Sequence, residues 1–475
     1  MLTTFPDQVS SDAVLTTFIY LVAAAAVILV VLGLGLIDMG LVRRRNVLDT
    51  WIQKITAAMV GGASLMLGGY ALWQWQFNQA LGVPHPLLQA LQDWWIGGHV
   101  TDTAAGLLDP KAVPEADVLQ IFLIFFVTFA MATMALIHTG VVERIRPLPL
   151  YVMSFVIGAV LSPLTGYLCW GSVSPLTNRG VHDFDGIFPL YIFAGTWVLV
   201  LACRIGPRLG AFSSHSSGAR PVPHHLGFVG AGVLLITFAI PFVAIGSGNL
   251  IPGQGFFGIS FTDSGLGLVV ENVFAALFGG GLMGALIAYR RRDPSMALLG
   301  PLTGLVICGT LFDIGNPVKC LLLGLAGPLV GLGTSMLLRR LRIDEPKVVP
   351  LALGPGIVGA LATGFIEWGT RTGGYPGLDG AYALGHATIT PWWQLVGVVA
   401  TMTTAAIPCF LLCLIFEKTG TLRVSEQTEI VGLDIATWGV SNFGDDLEPP
   451  VVAVAPGSGQ VTRPVSDEPQ AGVLS

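Results

Sequence analysis

Phe125 and Phe129 stand four residues apart in one apolar run, and Trp170 closes the next. A spacing of four puts two rings on one face of a helix. Ring faces attract small cations, so the three residues can form an aromatic cup; core packing and interfacial anchoring are the competing readings. Tyr191 lies inside "DFDGIFPLYIFAG", residues 183 to 195. With a pKa near 10, a phenol stays protonated at pH 7 and trades hydrogen bonds without holding a proton in transit. Either it fills a packed interior with its hydroxyl on a backbone carbonyl, or it lines a passage. The carboxylates Asp38, Glu143, Asp183, Glu271, Asp313 and Glu367 sit near the ends of apolar runs, where capping or water serves them. None lies clearly mid-run, which argues against a carboxylate relay for protons. Asp183 precedes a helix start and can serve its amides. Cys409 and Cys413 share a helix face, but no CxxC occurs, and free cysteine packs as a small hydrophobe. No metal, cofactor or disulfide framework is expected.

The elements that position these residues are membrane helices. Of 475 residues, 53% are hydrophobic and 11% charged, less than half the charge of a soluble domain. Apolar runs fall near 14–39, 52–78, 117–141, 148–170, 186–204, 226–246, 265–289, 296–312, 318–338, 348–367 and 391–416. That is eleven, the eighth cut short by "CGTLFDIGNP". An odd count places the termini on opposite sides. With the N-terminus outside, only Lys111, Arg179, Lys319 and Arg371 of 23 Lys and Arg fall outside, so the positive-inside rule selects N-out, C-in. Eleven divides as five plus five plus one, and two five-span halves enter from opposite faces, as in an inverted repeat. The expected fold is therefore an all-α integral membrane protein: residues 1–13 outside, 14–417 in the membrane, 418–444 a cytoplasmic region, and 445–475 a disordered Pro-, Ser- and Gly-rich tail. No cleaved leader is read at "MLTTFPDQVSSDA", which lacks basic residues.

Several segments, in order, resemble the Amt/Mep/Rh family of ammonium transporters: "DMGLVRRRNVLD", "VVERIR", "GPRLGAF", "PHHL", "MLLRRLRIDEP", "GIVGALATG" and the tail "LRVSEQTEIVGLD". "DFDGIF…AG" falls where the family carries DFAGGxxVH. The likeness runs from the first span to about residue 444. It implies the ammonium-transporter fold, a homotrimer with one pathway per protomer, and a cytoplasmic tail that meets PII signalling proteins. It places the family's outer recruitment site on Phe129, Trp170 and Ser247, beside Phe125, and its two gate phenylalanines on Phe129 and Val243, with Phe242 one residue off. Asp183 falls on the family's scaffolding Asp. The family's two pore histidines fall on Tyr191 and on Leu353, or Ala352 with a shifted deletion, so both imidazoles are absent. "PKVVPLALGPGIVG" also lacks the Asp that precedes the second histidine.

Three functions compete. The first is a cell-membrane transporter or channel for ammonium or ammonia, with proton handling altered by the loss of both histidines. The second is an ammonium sensor or regulatory paralogue with little conduction, and the third a pathway for another small neutral molecule. No enzymatic activity and no nucleic-acid partner is expected.

Overall fold

In hydrocarbon every backbone N–H and C=O must find its partner within the segment, so apolar runs of this length are driven into helices. The computed structural model describes residues 11–102, 116–212, 223–251 and 255–440. The expected outer N-terminus lies almost wholly outside these residues, and the expected disordered tail lies entirely outside them.

Ten helices among the described residues are long and apolar enough to cross a bilayer. They are the first span Val14–Leu41, second Arg44–Ala80, third Val118–Val141, fourth Pro147–Cys169, fifth Ile187–Ile205, sixth Leu226–Gly246, seventh Leu266–Arg291, ninth Pro317–Arg340, tenth Val349–Ile366 and eleventh Pro391–Lys418. Between the seventh and ninth lies a shorter apolar helix, Pro294–Cys308, counted here as the eighth. It ends four residues before the sequence-based boundary at 312, because the chain turns there: Leu311 N–H donates to Cys308 and Gly315 N–H to Leu311. Asn316 then caps the ninth helix, its side chain accepting from Lys319 N–H at 3.0 Å, with Pro317 in the first turn. Asp293 and Thr390 cap the eighth and eleventh in the same way.

Small residues let the helices approach closely and show how the halves correspond. The first and sixth spans cross glycine to glycine: a Cβ on Gly33 or on Gly232 would press on the other's carbonyl oxygen. Gly158 of the fourth span lies on the Gly61 carbonyl of the second, and Gly324 of the ninth lies on Ala276 of the seventh. Gly195 of the fifth packs on Leu353 of the tenth. Pairs one–six, two–four, seven–nine and five–ten are the pattern a five-plus-five inverted arrangement requires. The fifth and tenth spans also open alike, each with a π-turn, Ile187–Ile192 and Val349–Leu353.

The first span begins beside Phe122 and Phe125, where the Tyr20 hydroxyl donates to Gly248 O at 2.7 Å. It ends where Arg43 meets Glu143. Two short hairpins, Gly248–Ile251 with Gly255–Gly258 and Arg371–Thr372 with Ala387–Thr388, lie at the Trp170 end. At the opposite end two short helices, Glu426–Val431 and Leu433–Trp438, dock on the bundle. The Glu429 carboxylate accepts from Arg43 Nη2 at 3.0 Å, Leu209 N–H at 2.7 Å and Arg423 Nη2 at 3.0 Å. Asp434 accepts from the Leu48 and Asp49 amides at 3.1 and 2.8 Å, capping the second span from the tail.

Candidate functional site

The third span carries Phe125 and Phe129, with ring centroids 6.1 Å apart. Trp170 leaves the fourth span in an extended conformation, and its indole N–H donates to Phe184 O at 3.2 Å. That holds its ring on Phe129, 5.4 Å away and 19° from parallel, with Phe126 and Trp73 packed beside it. Gly186 makes the contact possible. It has φ +72°, and a Cβ there would collide with the Phe129 ring, so only glycine brings this chain so close. Phe125, Phe129 and Trp170 are thus brought together in a closed stack. Trp170 has no exposed surface. Ser247 follows the sixth span, buried, its Oγ donating to Val243 O at 3.2 Å. That bond uses its single proton and leaves lone pairs to accept from a guest.

Asp183 does the work of a cap. Its two oxygens accept from the Ile187 and Phe188 amides, each at 2.9 Å, at the opening of the fifth span. Burial pushes its carboxyl up to about 6 against the pull of those amides. Asp185, at the alanine of the family pattern, is buried too, and its Oδ1 has no hydrogen-bond partner among the described residues. Burial, and then the neighbouring Asp183 charge, push the Asp185 carboxyl well above its ordinary value. His182 Nε2 lies 3.0 Å from Asp313 Oδ1, so Asp313 is taken up in a buried pair rather than in a helix cap.

Beyond the rings lies a cavity of about 40 Å³. Val30 and Leu34 of the first span, Leu136 of the third, Ile236 of the sixth and Leu351 of the tenth line it, with Tyr191. Tyr191 brings the only polar side chain to this wall. Its hydroxyl has no hydrogen-bond partner among the described residues, so it is not tied to a backbone carbonyl. Val243 is buried. Phe242, one residue on and hence about 100° around the helix, is 38% exposed and packs against exposed Phe238 on the outer surface. It does not face the lumen. Leu353 is buried with its Cβ against Gly195, and it is Leu351 that meets the cavity.

Sequence reasoning missed Glu345. Its carboxylate accepts from the amides of Lys347, Val348 and Val349 at 3.1, 2.8 and 2.6 Å, opening the tenth span as Asp183 opens the fifth. Glu345 precedes Leu353 by eight residues, as Asp183 precedes Tyr191. The carboxylate expected to be missing is therefore supplied one residue ahead of "PKVVPL". The repeat of that offset in the two halves was the signal that could have found it. Also missed was a buried charged group past the cavity. Asp38 pairs with Lys54 Nζ at 3.0 Å and with Lys347 Nζ at 3.2 Å, and buried His138 lies alongside with its Nδ1 unpartnered. Among the described residues no group of three metal-ligating side chains gathers, and all six cysteines are free.

The chain matches the model of the Ammonium Transporter Family over residues 18–443. It is 27% identical over 322 residues to "Ammonium transporter Amt1" of Methanocaldococcus jannaschii, covering 67% of this chain and 76% of the relative. It is 25% identical over 418 residues to the "Ammonium transporter" of Bacillus subtilis, covering 87% and 95%. Two solved structures share the fold. One is a "Sensor Amt Protein", with a TM-score of 0.70, 19% identity and coverage of 90% of this chain and 99% of that one. The other is Candida albicans Mep2, with a TM-score of 0.68, 20% identity and coverage of 92% and 91%. Membrane helices in a five-plus-five pattern, ringed by aromatics above an apolar chamber and matched almost end to end by the family model, place this chain in the ammonium transporter family.

Proposed function

We propose that the protein is a transmembrane transporter or channel for ammonium or ammonia whose proton handling differs from that of members with two pore imidazoles. The observation that carries this reading is the Phe129–Trp170 stack standing over an apolar cavity whose single polar wall group is the Tyr191 hydroxyl. Phe125, Phe129, Trp170 and Ser247 recruit the cation, Val243 and Leu353 pack beside the path, and Tyr191 offers ammonia one neutral hydrogen bond. A phenol cannot take and pass the substrate proton at pH 7 as an imidazole can. The reading carries N-out, C-in topology in a cell membrane, a homotrimer, and a cytosolic PII-type partner at the region 418–444. In proteoliposomes methylammonium uptake is expected to saturate. Trp170→Leu should lower it about tenfold, the worth of a cation–π contact of ~1.4 kcal/mol. Verified proteoliposomes with neither ammonium-dependent current nor pH change would reject it.

The tail favours a second reading. Glu429 and Asp434 hold residues 426–438 to the first and second spans, a ready path from binding to a partner. A sensor of this kind would bind ammonium with little flux. Deleting residues 418–475 would then abolish signalling and leave outer-site binding intact.

A further inference from the structure

Three of the four residues after His182 each hold part of the outer site. Asp183 caps the opening of the fifth span, Phe184 O fixes the Trp170 indole, and Gly186 lies against the Phe129 ring. His182 anchors this segment. Its backbone is clamped by the Gln394 side chain of the eleventh span, which accepts from His182 N–H at 2.9 Å and donates to His182 O at 3.0 Å. Its ring reaches the other way, Nε2 standing 3.0 Å from Asp313 Oδ1 in the turn between the eighth and ninth spans. The other Asp313 oxygen accepts from the Thr262 hydroxyl, and Thr262 closes the first hairpin, its carbonyl accepting from Gly258 N–H at 3.0 Å. Nδ1 lies 3.4 Å from the hydroxyl of Thr372 in the second hairpin. The turn touches the segment a second time, Asp185 N–H donating to Gly309 O at 3.3 Å. One imidazole thus ties both hairpins and that turn to the segment that holds the rings.

His182, Asp313, Thr262, Thr372 and Gln394 are all buried. The Thr372 hydroxyl can donate to a bare Nδ1 or accept from a protonated one, so the ring keeps both partners in either charge state. What the proton changes is the bond to Asp313, charge-assisted with it and roughly half as strong without it. Losing the proton also strips a buried carboxylate of its cationic partner. The charges around the ring are mostly negative: Asp183 and Asp185 on its own segment, and Glu367 past the tenth span, itself paired with Lys319 Nζ at 2.6 Å. The hairpins add exposed Asp263 and Arg371, and the opening turn of the eleventh span, residues 391–394, has no charge. Burial draws the His182 imidazole down, but Asp313, by charge and hydrogen bond, and then Asp183 and Glu367 outweigh it and raise it above its ordinary 6.5. The ion pair is therefore complete below pH 6.5 and is lost as pH climbs through the raised value.

We propose that the His182–Asp313 pair is a proton-worked clasp that positions the outer recruitment site, gripping when the imidazole is charged and slackening when it is not. The clasp rests on the transport reading above and adds control by pH at the Trp170 face. The test uses the full chain in proteoliposomes, oriented tail-inward as judged by protection of the tail from protease, with internal pH fixed. Methylammonium remains a cation throughout, so its KM reports the site and not the substrate. As outside pH rises from about 6 to about 9, the KM of the unaltered protein should rise about fivefold, the weakening of one charge-assisted bond. His182→Gln can still donate to Asp313 but cannot titrate, and its KM should stay level. Asp313→Asn removes the charge that the proton answers, should stay level too, and covers failure of the first variant to fold. A level KM in the unaltered protein overturns the clasp alone. So does a falling one, the result expected if the uncovered Asp313 charge merely drew cations in. An undiminished rise in either folded variant overturns it as well. Absence of saturable uptake at every pH overturns the transport reading and the clasp with it.

Discussion

The Tyr191 hydroxyl is one oxygen in an otherwise hydrocarbon chamber, held by no partner among the described residues, which makes its removal a clean experiment. Tyr191→Phe breaks no hydrogen bond, so the melting temperature in detergent should barely move. A guest in the chamber loses its one polar contact, worth ~1 kcal/mol, so ammonia flux should fall about fivefold. Unchanged flux would mean that the phenol only fills space. At this scale the sequence is an uneven guide. Tyr191 and the aromatic trio were legible because a polar or aromatic group inside an apolar run is conspicuous by itself. Lys54, Asp38 and Lys347 were not, because each lies near a span end where a lone charge is ordinary. Only folding brings positions 38, 54 and 347 within ion-pair distance. Phe242 shows the reverse case. A residue one place from a functional position points about 100° away from it.

Glycine contacts carry the packing between elements. A Cβ on Gly158 would strike the Gly61 carbonyl and the Ser64 hydroxyl, where the fourth and second spans cross through facing π-turns, Ile157–Leu161 and Leu65–Gly69. Neither backbone can yield without moving its span, so Gly158→Ala should destabilise the protein by about 1–3 kcal/mol. Thermal unfolding followed by intrinsic fluorescence would show a lowered midpoint. Gly333, which a Cβ would meet nothing around, is the control. The spans themselves were readable from apolar length, because bilayer thickness imposes it. The π-turns were not, since an extra residue in one turn leaves no trace in composition. They fall inside the very segments, Ile187–Ile192 and Val349–Leu353, where residues had to be matched by counting. The eight-residue offset from Asp183 and from Glu345 survives because both carboxylates grip the opening turn itself.

Over the whole molecule, charge gathers at the tail end, where Glu143 joins three stretches of chain. It accepts from Arg43 Nε at 2.9 Å, Asn46 Nδ2 at 2.5 Å and Arg208 Nη1 at 3.2 Å, while Arg43 also reaches Glu429 of the tail. Burial pushes the Glu143 carboxyl up, but Arg208 and Arg43 together outweigh it and hold it at about 2, against an ordinary 4.5. Its stabilisation is therefore complete above about 4.5 and lost as pH falls toward about 2. The loss is on the order of 3 kcal/mol at about 1.4 per pH unit of separation. Melting temperature should drop between pH 5 and pH 3, and Glu143→Gln should flatten that profile while lowering it at neutral pH. The basic residues were legible in the sequence as markers of one membrane face. Their partners were not, because Glu143 lies 100 residues from Arg43 and 65 from Arg208, and Glu429 lies 386 from Arg43.

The chamber beside Tyr191 is small, and size has its own chemical meaning. A chamber of about 40 Å³ holds no more than a few small molecules. A sodium or potassium ion could not bring its hydration shell inside, and walls of leucine, valine and isoleucine offer nothing to replace it. Ammonia, uncharged and close to water in bulk, sheds almost nothing on entering. Dehydration therefore sorts the traffic by formal charge.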